Sequence, residues 1–147
     1  MTSHRQGEGG FTLVELLIIV MVIGILAAVA IPAYYGHVER SRRSDAVTAL
    51  MSLAQAQERF MASHGEYASS LNGSVAAGDG LGMPADNLSS EGFYTISLVR
   101  PEDEEGEYIL TAAPRGSQAS DAECGSFTLA HTGARGVTGT ATVDDCW

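Results

Sequence analysis

The chain has 147 residues and carries 18 Asp or Glu against eight Arg and no Lys, which gives a formal net charge of −10. Proteins that bind nucleic acid broadly present a basic face, since phosphate contacts supply most of their affinity, so this composition argues against nucleic acid as a partner. An apolar fraction of 45% excludes a disordered chain, and two cysteines exclude a disulfide-dense miniprotein and a zinc site built from cysteine alone.

A charge-free stretch begins close to the N-terminus. Residues 16–35 read LLIIVMVIGILAAVAIPAYY. Because a helix rises about 1.5 Å per residue, about twenty residues cross the ~30 Å hydrocarbon core of a bilayer. The alternatives are a buried helix of a soluble core, which seldom lacks a polar face over this length, and a secretory signal peptide. No small-x-small cleavage site cleanly separates this stretch from the residues after it, so we predict a retained transmembrane helix.

Glu15 lies immediately before this stretch. A carboxylate at the edge of a bilayer core is costly unless it is paired, which makes Glu15 a candidate functional residue; the alternative is a carboxylate that only reaches back to water. Residues 9–16, GGFTLVEL, resemble the processing site of type IV pilins and their relatives. The resemblance implies that a prepilin peptidase cuts between Gly10 and Phe11 on the cytoplasmic side and methylates the new N-terminus of Phe11.

The same resemblance divides the chain into three parts. It implies a prepilin leader over 1–10, a transmembrane and assembly half of the N-terminal helix over 11–35, and an amphipathic helix half with a globular head over 36–147. Glu15 then becomes the fifth residue of the mature chain, where the family's glutamate is thought to meet the N-terminus of a neighbouring subunit. A buried carboxylate and a buried ammonium each lose solvation alone and offset that loss as a pair.

The resemblance also implies partners and a location. The expected partners are other pilin subunits in a helical fibre, prepilin peptidase, the inner-membrane assembly platform and, before assembly, the membrane. The chain is expected to be a single-pass inner-membrane protein with a cytoplasmic N-terminus, and later part of an extracellular pilus. The positive-inside rule points the other way, because Arg5 precedes the span whereas Arg40, Arg42 and Arg43 follow it. The processing motif is the more specific signal, so we expect a cytoplasmic N-terminus.

Helical patterning continues beyond the charge-free stretch. Gly65 suits the end of a helix, so we predict one helix from about Phe11 to His64. Gly24 and Pro32 interrupt its first half. Proline costs about 3 kcal/mol inside a helix, which predicts a kink near Pro32. The resemblance adds an assembly role for both positions, since pilins are often unwound between them in the fibre.

The second half of this helix has apolar residues at three- and four-residue spacings. The pattern predicts that one side packs against a core, while charged residues, among them Arg43 and Asp45, lie on other faces. Two runs with strand composition, 93–99 and 108–111, predict a hairpin around a polar turn at 101–106, and 126–130 is a third candidate strand.

An antiparallel sheet laid across the helix would bury the apolar side of the helix, which gives an α+β fold. This is the type IV pilin fold that the resemblance implies: a long N-terminal helix, membrane-spanning in its first half, packed on a small antiparallel sheet with a C-terminal disulfide loop.

Cys124 and Cys146 are separated by 21 residues. Because the resemblance places the head outside the cytoplasm, where disulfides persist, we expect the two cysteines to pair and to staple the last region of the head, as is common in pilins. The alternative, a metal or redox pair, lacks the CxxC spacing and nearby histidines. Cys124-Gly125 before a strand and the terminal Cys146-Trp147 are similar to PilE-like minor pilins.

No catalytic set, phosphate-binding loop or metal-ligand spacing is visible in the sequence, so we expect no enzyme, cofactor or metal site. The acidic residues 102–105 lack the alternating spacing of a calcium loop and are typical of a solvated turn. The expected function is that of a structural subunit, by its resemblance a minor one, of a type IV pilus. The alternatives are a type II secretion pseudopilin and a DNA-receptor minor pilin for transformation. Adhesion, twitching motility and priming of assembly are further roles in the family.

Overall fold

The computed structural model describes residues 11–101 and 107–147, apart from the side chains at positions 32 and 33. The expected leader, residues 1–10, and the expected turn after position 101 lie outside the described residues. The described chain falls into two units, one that ends at His37 and one that spans Val38–Trp147.

Helix α1 spans Leu13–His64, close to both predicted ends. Gly65 ends it, because its φ of +80° lies in the left-handed region that favours glycine, and its N–H donates to the carbonyl of Met61 at 2.9 Å. Gly24 and Pro32 both lie inside α1, so the backbone is helical at these positions. The kink near Pro32 and the unwinding inside a fibre stay predictions.

Four strands form one antiparallel sheet in the order β1-β2-β3-β4. They are β1 Tyr94–Val99, β2 Ile109–Pro114, β3 Phe127–Ala130 and β4 Arg135–Val137. The first three confirm the predicted strands. The sequence pattern did not predict β4, because three residues that include a glycine carry no readable alternation.

Two short helices complete the second unit. A 3-10 helix, Gly116–Ser120, follows β2, and helix α2, Val143–Cys146, precedes the last residue of the chain. Both are too short to produce a periodic sequence signal.

The core of the second unit lies between α1 and one face of the sheet. Ala46 and Leu50 of α1 are fully buried there, and alternate strand residues meet them while their neighbours face outward. The buried strand residues are Tyr94, Ile96, Leu110, Ala112, Phe127 and Leu129. This packing confirms the predicted α+β class and explains the alternation of apolar and polar residues in β1 and β3.

Candidate assembly site and the head that follows it

The N-terminus of α1 is capped by its own side chains. The backbone N–H and the hydroxyl of Thr12 both donate to Oε2 of Glu15, at 2.9 and 2.7 Å, and the backbone N–H of Glu15 donates to the Thr12 hydroxyl at 3.3 Å. This reciprocal arrangement is a capping box, which satisfies backbone donors that a helix start leaves without partners. The sequence carries the signal of this box as Thr-x-x-Glu, which also identifies Thr12 as a capping residue.

The capping box leaves one carboxylate oxygen of Glu15 available. The hydrogen bonds above all use Oε2, and Oε1 accepts none from the residues that the structure describes. Glu15 can therefore keep its helix cap and still accept a hydrogen bond from a second, positively charged donor. Phe11, the expected N-terminal residue of the mature chain, is 83% exposed in this structure.

The first part of α1 is apolar on every side. Its large apolar side chains from Leu13 to Ile31 are between 47% and 80% exposed. By length and composition α1 is the one helix among the described residues that could cross a membrane, with a mean hydropathy of 3.0 over its most apolar 18 residues. An apolar surface of this extent requires lipid or other apolar helices around it.

Arg43 anchors the C-terminal part of the head to α1. Its guanidinium binds Asp121 through both carboxylate oxygens, each at 2.7 Å, and Glu123 at 2.9 Å. The Asp121 side chain is fully buried, and it also accepts the N–H of Cys124 at 3.2 Å. The ion pair therefore holds the segment that leads into the first cysteine. The sequence pattern placed Arg43 on a polar face of the helix, whereas the structure buries it.

The electrostatics of this pair follow from its burial and its hydrogen bonds. Hydrogen bonds from Arg43 to Asp121 raise the pKa of the guanidinium, against the opposing effect of burial. Burial alone would raise the pKa of the Asp121 carboxyl, but hydrogen bonds from Arg43 and from the Cys124 N–H outweigh it and hold that pKa below its usual value. Both groups are therefore charged at neutral pH.

Asp45 anchors the chain where it enters β1. It is buried on α1, although the sequence pattern placed it on a polar face, and it accepts the hydroxyl of Ser89 at 2.5 Å. It also accepts the N–H of Glu91 at 3.2 Å and that of Phe93 at 3.4 Å. These bonds fix the loop immediately before the sheet.

Gln57 makes a third anchor further along α1. Its side chain is fully buried, donates to the carbonyl of Ala68 at 3.0 Å and accepts the N–H of Ala68 at 2.9 Å. This pair of bonds fixes the chain just after α1 ends.

The expected disulfide between Cys124 and Cys146 is present, with the two Cα atoms 5.8 Å apart. It brings Trp147 against the core, where the indole N–H donates to the carbonyl of Gly136 at 3.2 Å. The Trp147 ring lies edge-on to Phe127, and the guanidinium of Arg135 lies 5.1 Å from the indole centroid. The disulfide and the tryptophan together tie the last residues to β3 and β4.

The described residues contain no group of three or more His, Cys, Asp or Glu side chains that could hold a metal ion. The two features that stand out are therefore an exposed apolar helix with a self-capped start and a head held by buried polar anchors.

Two models of known protein families match the chain. A family model described as the prokaryotic N-terminal methylation motif matches residues 5–31. A second, described as type IV minor pilin ComP, DNA uptake sequence receptor, matches residues 32–128. The chain belongs to the type IV pilin family. The members of this family are structural subunits.

Individual relatives of this pilin include both pilus and secretion proteins. It is 46% identical over 63 residues to the type IV major pilin protein PilA of Myxococcus xanthus, which covers 43% of this chain and 29% of that protein. It is 25% identical over 126 residues to the type II secretion system core protein G of Escherichia coli, which covers 78% of this chain and 87% of that protein. The chain aligns with about a third of the length of the first curated pilins that it matches.

A solved structure supports the fold of this pilin. A type IV pilin from Shewanella oneidensis is similar with a TM-score of 0.50 and 28% sequence identity, over 74% of this chain and 97% of that chain. The long helix, the small antiparallel sheet and the C-terminal disulfide predicted for the chain are therefore the type IV pilin fold.

We predict that the two carboxylates that bind Arg43 contribute unequally to the free energy of unfolding. Asp121→Asn leaves a buried guanidinium short of its main partner, which costs about 3–5 kcal/mol of unfolding free energy. Glu123→Gln removes a carboxylate whose side chain is 68% exposed, and costs no more than about 1 kcal/mol. Thermal unfolding of the two variants, followed by near-ultraviolet circular dichroism, measures the difference. Equal losses would contradict the anchor role of Asp121.

The same anchor predicts a pH dependence. Because the folded-state pKa of Asp121 lies below its unfolded value of about 3.9, its contribution is complete above that pH and is lost as pH falls towards the folded pKa. The stability gap between the wild type and Asp121→Asn should therefore be constant from pH 8 to about pH 5 and narrow below about pH 4. If the stability difference between the wild type and Asp121→Asn grows as the pH falls, the pKa of Asp121 is not lowered by folding.

Proposed function

We propose that this pilin is a minor structural subunit of a type IV pilus, processed between Gly10 and Phe11 and methylated on Phe11. The observation that carries the assembly role is the exposed apolar surface of α1 from Leu13 to Ile31, which begins within the capping box and the processing motif. The family model described as a type IV minor pilin supports the minor role. The matched N-terminal methylation motif supports the processing step.

The apolar part of α1 is surrounded by two different apolar environments in turn. Before assembly it is surrounded by lipid, since residues 11–35 are long enough to cross the bilayer core. In the fibre the same surface packs against the apolar helices of neighbouring subunits. Both environments remove the side chains from water, so transfer between them conserves most of the hydrophobic free energy.

Glu15 acts as a registration device between subunits. Oε2 stays in the capping box with Thr12, and Oε1 accepts a hydrogen bond from the methylated α-ammonium of a neighbouring subunit. A carboxylate in an apolar helix bundle is strongly disfavoured unless it has such a partner, so only the matching axial position is stable.

The proposed topology places residues 1–10 in the cytoplasm and the head on the opposite side of the inner membrane. The disulfide between Cys124 and Cys146 supports an oxidising location for the head. Prepilin peptidase and the inner-membrane assembly platform are the partners that this route requires.

Mass spectrometry of sheared surface fibres tests the function. The expected result is an N-methylated Phe11 peptide in trace amounts beside another, dominant pilin. The same peptide as the dominant species would make this chain the major subunit. Its absence from fibres, with processed protein left in the inner membrane, would overturn the proposal in favour of a secretion pseudopilin.

Variants of the capping box separate the charge of Glu15 from its helix cap. Glu15→Gln retains an acceptor that suits a capping box but removes the charge, and Thr12→Ala removes the cap but retains the charge. We expect Glu15→Gln to enter fibres at less than about a tenth of the wild-type level, because losing one buried charge partner is worth several kcal/mol. Thr12→Ala should enter fibres at a level close to wild type.

Quantification of tagged subunits in sheared fibres gives the result, with methylation of Phe11 as the control for processing. If Glu15→Gln assembles like the wild type, the charge pairing is refuted.

A DNA receptor is the second candidate function, favoured by the description of the family model that matches residues 32–128. The net negative charge of the head argues against DNA binding, since the chain from Met61 onward has thirteen acidic residues and three arginines. One of those arginines, Arg100, is already engaged by the carbonyl of Tyr67 at 2.9 Å and lies 3.8 Å from Glu66.

Retardation of duplex DNA by the detergent-solubilised protein tests this second function. We expect no retardation even at 20 mM salt, a condition in which phosphate contacts are strongest. Tight binding that weakens steeply with added salt would support the receptor function instead.

A further inference from the structure

Residues 70–83 form a loop in which two glycines cross at close range. A Cβ at Gly73 would lie 2.3 Å from the carbonyl oxygen of Asp79, and a Cβ at Gly80 would lie 2.2 Å from the backbone nitrogen of Gly73. No side chain fits at either position, so the crossing requires glycine at both. Position 73 therefore has to be glycine for a structural reason, and the residue before it is Asn72.

Asn72 is the side chain that closes this loop. Its amide nitrogen donates to the carbonyls of Met83 and Pro84, at 3.3 and 2.8 Å, and to Oδ1 of Asn87 at 2.6 Å. All three partners are acceptors. The site therefore accommodates an amide nitrogen and disfavours an oxygen at the same position.

The backbone on both sides of Asn72 is also clamped. The carbonyl of Leu71 accepts the N–H of Met83 at 2.7 Å, and the carbonyl of Gly73 accepts the N–H of Gly82 at 2.8 Å. Leu71 is buried and Met83 packs against the core, so these bonds join the loop to the head. Asn72 itself is exposed to water.

An asparagine followed by glycine is chemically labile, because glycine has no side chain to hinder attack by its backbone nitrogen. The Gly73 nitrogen loses its proton and bonds to Cγ of Asn72, the Cγ–Nδ2 bond breaks, and ammonia leaves. Water then opens the resulting succinimide to aspartate or isoaspartate. The step needs only water and base, and it also needs backbone rotation at Asn72, which the clamped loop opposes.

We propose that Asn72 is a site of spontaneous deamidation, that the closed loop protects it, and that conversion opens the loop irreversibly. In the product, a carboxylate faces the three oxygen acceptors that held the amide. Repulsion between these oxygens removes the hydrogen bonds that close the loop. The conversion of the amide to a carboxylate also adds one negative charge to the head. The fraction of Asn72 that is deamidated therefore increases with the frequency of loop opening.

The chain contains its own control, since Asn72 and Asn87 are its two asparagines and Asn87 is followed by leucine. The first experiment incubates the full chain at pH 8 in urea and maps peptides by mass spectrometry, in which deamidation adds about 1 Da. We expect Asn72 to convert first in the unfolded chain. Conversion of Asn87 at the same rate or faster would overturn the proposal.

The second experiment tests protection in the folded protein. Asn87→Gly removes one acceptor, and glycine tolerates the φ of +52° at this position. Asn87→Asp keeps an oxygen acceptor there. Loss of one hydrogen bond should raise the native rate of Asn72 deamidation about two- to tenfold in Asn87→Gly, and Asn87→Asp should stay close to the wild-type rate. Equal rates in all three proteins would show that the loop does not protect Asn72.

A third measurement tests the consequence of conversion. Asn72→Asp should be cleaved by protease within residues 70–87 faster than the wild type, while its remaining fragments stay resistant. Cleavage at the wild-type rate would show that a carboxylate is tolerated at this position and would refute the opening step.

Discussion

A buried guanidinium connects the C-terminal quarter of the chain to the long helix. Arg43 lies on α1, and its main partner Asp121 lies nearly eighty residues later, beside the first cysteine. The 3-10 helix lies immediately before this contact, and the strands β3 and β4 and the disulfide to Cys146 follow it in the chain. An ion pair with this degree of burial adds little net stability over an apolar pair, but breaking it leaves a buried charge, so packings that separate Arg43 from Asp121 are strongly disfavoured.

Polar anchoring recurs along the same helix. Asp45 fixes the loop that enters β1, and Gln57 fixes the chain that leaves α1. The apolar contacts of Leu50 with the sheet supply the hydrophobic free energy, which is not directional. The polar anchors determine which loop lies at each position along α1, since each anchor binds one particular loop. A head built on these contacts can vary its outward-facing residues without losing its position on the helix.

Much of this arrangement could be predicted from the sequence. The helix, three strands and the disulfide follow from periodicity, turn residues and a resemblance to type IV pilins. The burial of Arg43 and Asp45 could not be predicted, because a charged residue on an amphipathic helix normally faces water and the partners lie far away in sequence. Strand β4 was too short to show alternation, and the role of Asn72 depends on a crossing of Gly73 and Gly80 that only the folded chain reveals. Thr12 is different, since its capping box was readable and its role was missed.

In the proposed fibre, the apolar part of α1 packs against the helices of other pilins. A photo-cross-linking amino acid at Leu17, which is 56% exposed, detects this packing in sheared fibres. We expect covalent adducts with the N-terminal helix of another pilin. Adducts with inner-membrane proteins alone, and no cross-linked species in fibres, would contradict it.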